Sequence, residues 1–147
     1  MPGRILWLDN DPSYLDPFVD ALKDEDYSVE VVSAVDDAEQ RIKASQYDLL
    51  ILDVMIPTKG EGEEVRYSPE ETDRGAKTGL LFYTQNKDEL KGSNTRVFVM
   101  TVRLDEKIVR DFVNAGLTRD CFATKYEVRD VSSFLERIKS ILRKPQS

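Results

Sequence analysis

Carboxylates, a hydroxyl and an ammonium stand where apolar runs end in this chain. RILWL (4–8) runs into Asp9, Asn10 and Asp11, and LLIL (49–52) runs into Asp53. VFVM (97–100) runs into Thr101, and the short run 121–123 into Thr124 and Lys125. Carboxylates gathered in one crevice repel each other unless a cation lies among them. The sequence has no His and one Cys, Cys121. That removes His-dependent triads, imidazole ligands and Cys zinc clusters. A hard, oxygen-bound cation such as Mg²⁺ fits what is left. Phosphoryl transfer uses such a metal with a cation opposite and a hydroxyl donor. Lys125 and Thr101 can supply the last two. Asp53 can then attack phosphorus and form an acyl phosphate. Taken singly, each residue has a plainer reading: Asp53 leaving the core for solvent, Lys125 and Thr101 as solvated strand ends.

The elements that would bring these residues together follow from periodicity. Leu49–Leu52 is too short for a buried helix and reads as a strand buried on both faces. Residues 5–8 and 97–100 are similar; 29–32 and 121–123 are weaker, as edge strands are. Between them lie helical patterns. Leu15, Phe18, Val19 and Leu22 share one face, with Asp11 as the expected N-cap, Pro12 at the first helical position and a mild kink at Pro17. Ser33 is the expected cap of a helix that turns Ala38 and Ile42 inward. A third helix is expected over 79–89. A fourth starts near Asp105 with Ile108, Val109, Phe112 and Val113 inward. The last carries Val131, Phe134, Leu135, Ile138, Ile141 and Leu142. Five strands alternating with five helices predict an α/β fold of right-handed βαβ units. The expected sheet is doubly wound and parallel, with order 2-1-3-4-5 and its ligand crevice between strands 1 and 3. One interruption stands out: residues 58–78 are too polar for a core and too long for an ordinary strand–helix connection. They read as an inserted, mobile loop in a single domain spanning 1–147. A sharper reading has the loop cover the crevice and bring Arg66, Arg74 or Lys77 towards it.

Composition narrows the partners. A length of 147 residues suits one domain, and 40% hydrophobic with 33% charged residues suits a folded soluble one. The net charge of −7 argues against direct binding to a nucleic-acid backbone. No stretch is long enough for a membrane span, and the N-terminus lacks a signal-peptide pattern, so a cytoplasmic location is expected.

RILWLDNDP, DLLILDVMIP, VFVMT and FATK, in this order and spacing, resemble the four motifs of response-regulator receiver domains, which have a flavodoxin-like fold. The resemblance covers almost the whole chain outside 58–78. It implies that Asp53 accepts a phosphoryl group and that Lys125 is the family's lysine. It makes Thr101 and Phe122 a switch pair, in which phosphate draws the hydroxyl inward and the ring follows. It implies Mg²⁺ held by Asp9, Asn10, Asp53 and the Met55 backbone carbonyl. It further implies a sensor histidine kinase or phosphotransfer protein as donor and a downstream protein as target. No effector domain follows Ser147, so output is expected through a partner, or through a homodimer formed by helix 4, strand 5 and helix 5.

Three residues depart from the pattern. Asn10 stands where a second acid is usual, with Asp11 as a neighbouring substitute. Val102 follows the switch hydroxyl, where a small residue is usual, and a bulky side chain there would slow access to the phosphoryl group. Tyr126 follows the lysine, where the family has a cis proline; a non-proline cis bond costs about 2.5–4 kcal/mol. These departures keep open a second reading, a phosphate-independent pseudo-receiver acting as an interaction module. An Mg²⁺-dependent phosphatase on the same fold class is disfavoured, because Met55 stands where such enzymes carry a second acid. Trp7 and Cys121 read most simply as core and strand residues.

Overall fold

The computed structural model describes residues 3–9, 15–54, 78–102, 104–128 and 130–143. Strands and helices alternate in it as β1 (Arg4–Leu8), α1 (Asp16–Asp24), β2 (Ser28–Val32), α2 (Val35–Ala44), β3 (Leu49–Leu52), α3 (Thr78–Gly92), β4 (Arg96–Thr101), α4 (Glu106–Asn114), β5 (Phe122–Thr124) and α5 (Val131–Arg143). All strand pairs are parallel, in the order β2-β1-β3-β4-β5. This is the doubly wound sheet expected from the alternation.

The period of two along each strand divides the core into two layers. Leu6, Leu8, Leu50, Leu52, Val97 and Val99 face α2, α3 and α4. Ile5, Trp7, Leu49, Ile51, Phe98 and Met100 face α1 and α5. All four residues of β3 are fully buried, which is why this run carries no polar alternation. Burying each such side chain contributes roughly 1.5–3 kcal/mol. On the second face Trp7 stacks on Phe134 of α5 at 5.4 Å, and Phe18 of α1 meets Phe134 edge-on at 5.1 Å. Edge strand β2 keeps only Val32 fully inside.

Several element ends differ from expectation. α1 begins at Asp16, so Pro17 lies in its first turn and causes no kink; there its missing N–H would have had no helical partner anyway. The expected cap pair Asp11 and Pro12 lies outside the described residues. Ala34, not Ser33, is the N-cap of α2, without a side-chain bond; Asp36 and Asp37 in the first turn complement the helix dipole instead. Asp105 caps α4, accepting from the Ile108 N–H at 2.8 Å. β5 is displaced by one residue. Cys121 N–H bonds to the Thr118 carbonyl (3.1 Å), closing a short 3₁₀ turn over Arg119–Cys121 ahead of the strand.

Of the expected loop 58–78, residues up to Lys77 lie outside the described residues, as do Arg66 and Arg74. Thr78 belongs to α3 and is fully buried. Next to it, Gly79 N–H donates to the Val54 carbonyl at 2.9 Å. A Cβ on Gly79 would lie 2.2 Å from the Asp53 carbonyl oxygen, so the start of α3 can press against the backbone after β3 only with glycine there.

Candidate functional site

The carboxyl ends of β1, β3, β4 and β5 converge on one buried polar cluster. The sheet ladder continues one residue past two of the strands. Asp9 N–H donates to the Val32 carbonyl (3.0 Å), and Asp53 N–H to the Leu8 carbonyl (3.0 Å). Both acids are therefore held by backbone as rigidly as strand residues. Thr101, the last residue of β4, is fully buried and donates its hydroxyl to Asp53 Oδ1 at 2.8 Å. Lys125 N–H donates to the Thr101 carbonyl (2.9 Å), which ties the residue after β5 to β4. Its ammonium Nζ lies 2.8 Å from Asp9 Oδ2 and 3.4 Å from Asp53 Oδ2. The side chains of Lys125, Asp9 and Asp53 are 11%, 0% and 4% exposed.

These residues, drawn from positions 9, 53, 101 and 125, thus meet as the sequence predicts. Burying a carboxylate costs several kcal/mol unless it is paired and hydrogen-bonded. Here two carboxylates share one ammonium, so the cluster retains one formal negative charge, and a further cation would offset it. The donors are all oxygens, which suits Mg²⁺. Asn10 and Met55, the other expected ligands, lie outside the described residues, as does Asp11. Among the described residues no group of three or more His, Cys, Asp or Glu comes close enough together to hold a metal.

The Thr101 hydroxyl points inward, to the Asp53 carboxylate. Phe122 opens β5 opposite Val99 and is 7% exposed. Its ring meets Phe112 edge-on at 5.7 Å, and Phe112 in turn lies 5.9 Å from Tyr83. Arg137 of α5 donates to the Phe122 carbonyl at 2.9 Å. Val102 and Tyr126, the two bulky departures, are 49% and 68% exposed. Among the described residues no peptide bond is cis, the one before Tyr126 included.

Two residues near the site were not singled out in the sequence, Gly79 and Glu127. Gly79 could have been suspected only from its place at the head of a helix. Thr124 and Glu127 carried a usable signal, the T-x-x-E spacing of a capping box.

The comparisons with known proteins agree with this architecture. No family model matches the chain. The response regulator receiver domain protein (CheY-like) from Methanospirillum hungatei superposes with a TM-score of 0.73 at 20% identity, over 97% of this chain and 94% of that one. A response regulator from Thermotoga maritima gives 0.72 at 19% identity, over 98% and 100%. The chain has the fold of response-regulator receiver domains. In sequence it is 26% identical to the alginate biosynthesis transcriptional regulatory protein AlgB of Pseudomonas putida. That match covers 98% of this chain but 30% of AlgB's length. Among the described residues no helix is long and apolar enough to cross a membrane.

Proposed function

We propose that this chain is a phosphoacceptor of two-component signalling, taking a phosphoryl group onto Asp53 from a histidine kinase or phosphotransfer protein. One observation carries the reading: buried Asp53 has the Thr101 hydroxyl on one oxygen and the Lys125 ammonium beside the other. In the reaction a carboxylate oxygen of Asp53 attacks phosphorus, the bond from phosphorus to the donor breaks, and an acyl phosphate forms. Lys125 balances charge on the transferred group, and Thr101 offers it a hydrogen-bond donor. Asp9 and Asp53, with Asn10 and the Met55 carbonyl, would hold Mg²⁺, which would supply charge neutralisation for the phosphoryl oxygens. The output is a changed protein-binding surface on α4, β5 and α5, the face that carries Phe122.

The test is intact mass after incubation with acetyl phosphate and Mg²⁺. Wild type gains one phosphoryl mass, and Asp53→Asn does not. A second reading, the phosphate-independent interaction module, is favoured by one feature: both carboxylates have partners within the protein. Failure of every donor, a kinase included, together with full biological output from Asp53→Asn, would establish that second reading.

A further inference from the structure

Lys125 reaches the two carboxylates from a turn that has its own clasp. Thr124 N–H donates to Glu127 Oε1 at 3.0 Å. In return Glu127 N–H donates to Thr124 Oγ1 at 3.2 Å, and shares that proton with the Thr124 carbonyl at 3.1 Å. The reciprocal pattern is that of a capping box, yet it opens no helix at this point. It brackets Lys125 and Tyr126. On either side the chain is anchored by the Lys125 N–H bond to Thr101 and by Val128, which is 3% exposed. Between those anchors Tyr126 and Glu127 are both exposed, so among the described residues their side chains lend the backbone little packing. A lysine ammonium rides on a flexible four-carbon stem. Its reach therefore depends on where the backbone aims the first bond, and the clasp sets that aim.

We propose that Glu127 is a positioning residue for Lys125: its carboxylate closes the turn on Thr124 and so directs the ammonium between Asp9 and Asp53. The effect on phosphoryl transfer rests on the phosphoacceptor reading above; the effect on Lys125 itself does not. Glu127→Ala opens the clasp. Glu127→Gln keeps an acceptor oxygen at the same place and should rescue it. Both changes are on the surface, and matched melting temperatures would confirm that the variants fold.

The first measurement is competitive acetylation of the lysines in the whole chain, with Lys125 read against exposed Lys43. In wild type Lys125 is protected by its two carboxylates. Glu127→Ala should raise its relative labelling severalfold, and Glu127→Gln should leave it unchanged. The second is the rate of Asp53 phosphorylation by acetyl phosphate with Mg²⁺. Glu127→Ala should lower the maximal rate about tenfold with the half-saturating donor concentration unchanged, as misplacement of a reacting group does. Unchanged Lys125 labelling in Glu127→Ala overturns the proposal, whatever the phosphorylation rate. So does a Glu127→Gln variant as reactive as Glu127→Ala, because the hydrogen-bond acceptor would then not be the cause. If the labelling pattern holds while wild type takes up no phosphate, the positioning role stands and the phosphoacceptor reading falls.

Discussion

Replacing Gly79 by alanine sets two effects of opposite sign against each other. In a helix, Gly→Ala ordinarily stabilises by up to about 1 kcal/mol, through lower backbone entropy in the unfolded chain. At Gly79 the new methyl would lie 2.2 Å from the Asp53 carbonyl oxygen, 2.7 Å from Val54 Cα and 3.0 Å from Asp53 C. All three obstacles are backbone, and that backbone is pinned by the Asp53 N–H bond to Leu8. Relief requires α3 to back away by more than an ångström, which breaks the Gly79–Val54 hydrogen bond as well. Overpacking of this kind costs roughly 1–3 kcal/mol, and losing a buried hydrogen bond about 1 kcal/mol more. The net expectation is a loss of about 2 kcal/mol, or a melting temperature lower by about 4–8 °C for a chain of this size. Gly92, at the other end of the same helix, is the control, because a Cβ there meets nothing within 4 Å. Gly92→Ala should therefore be neutral or raise the melting temperature by about 2–4 °C at most. Thermal and urea unfolding of the two variants decide the matter. A Gly79→Ala protein as stable as wild type would refute the close approach of α3 to Asp53.

Three further outcomes are expected. Lys125→Met leaves Asp9 and Asp53 facing each other without the ammonium, and should cost about 3–5 kcal/mol at neutral pH by urea titration. Mg²⁺ should raise the melting temperature of this variant more than that of wild type. The carboxyl of Glu30 is held below its ordinary value, chiefly by the Tyr47 hydroxyl and, against some opposing desolvation, by Arg4 and Arg41. A lowered folded value means that its contribution is complete above the ordinary carboxylate range and fades as the pH falls through the folded value; Glu30→Gln should flatten the acid limb of the stability–pH curve. Finally, among the described residues the buried Trp7 indole N–H has no partner. Trp7→Phe removes that unsatisfied donor while keeping most of the stack on Phe134, so urea unfolding should find it within about 1 kcal/mol of wild type, well short of the 3–5 kcal/mol typical of deleting a core aromatic.

The parts of the fold most legible in the sequence were those where burial alone dictates residue type. Leu49–Leu52 is apolar throughout because both faces of β3 are covered, and Asp53 marks where that cover ends. α5 was equally plain, since Phe134, Ile138 and Ile141 recur on one face and are buried together. Less legible were element ends, where several residues satisfy the same local rule. Pro12 and Pro17 both suit a first helical turn; Pro17 stands in that of α1, just after the N-cap Leu15, and Pro12 lies outside the described residues. A three-residue strand such as β5 has too few positions for alternation to fix its register, hence the shift from 121–123 to 122–124. The meeting of residues 9, 53, 101 and 125 followed from topology once the strand order was known. The turn around Lys125 did not, because the T-x-x-E spacing of Thr124 and Glu127 ordinarily marks a helix start, and no helix begins there.

The hydrogen bond between Val54 and Gly79 has a consequence for how this chain can vary. It holds Val54 and Gly79 against each other, so the chain between them starts and ends at one point of the framework. Closing such a stretch costs entropy that grows only with the logarithm of its length, about 0.6 kcal/mol per doubling. Extra residues added between Val54 and Gly79 should therefore change stability little. The pair is a natural flank for a graft: a recognition peptide or reporter added between them leaves the sheet and its register intact.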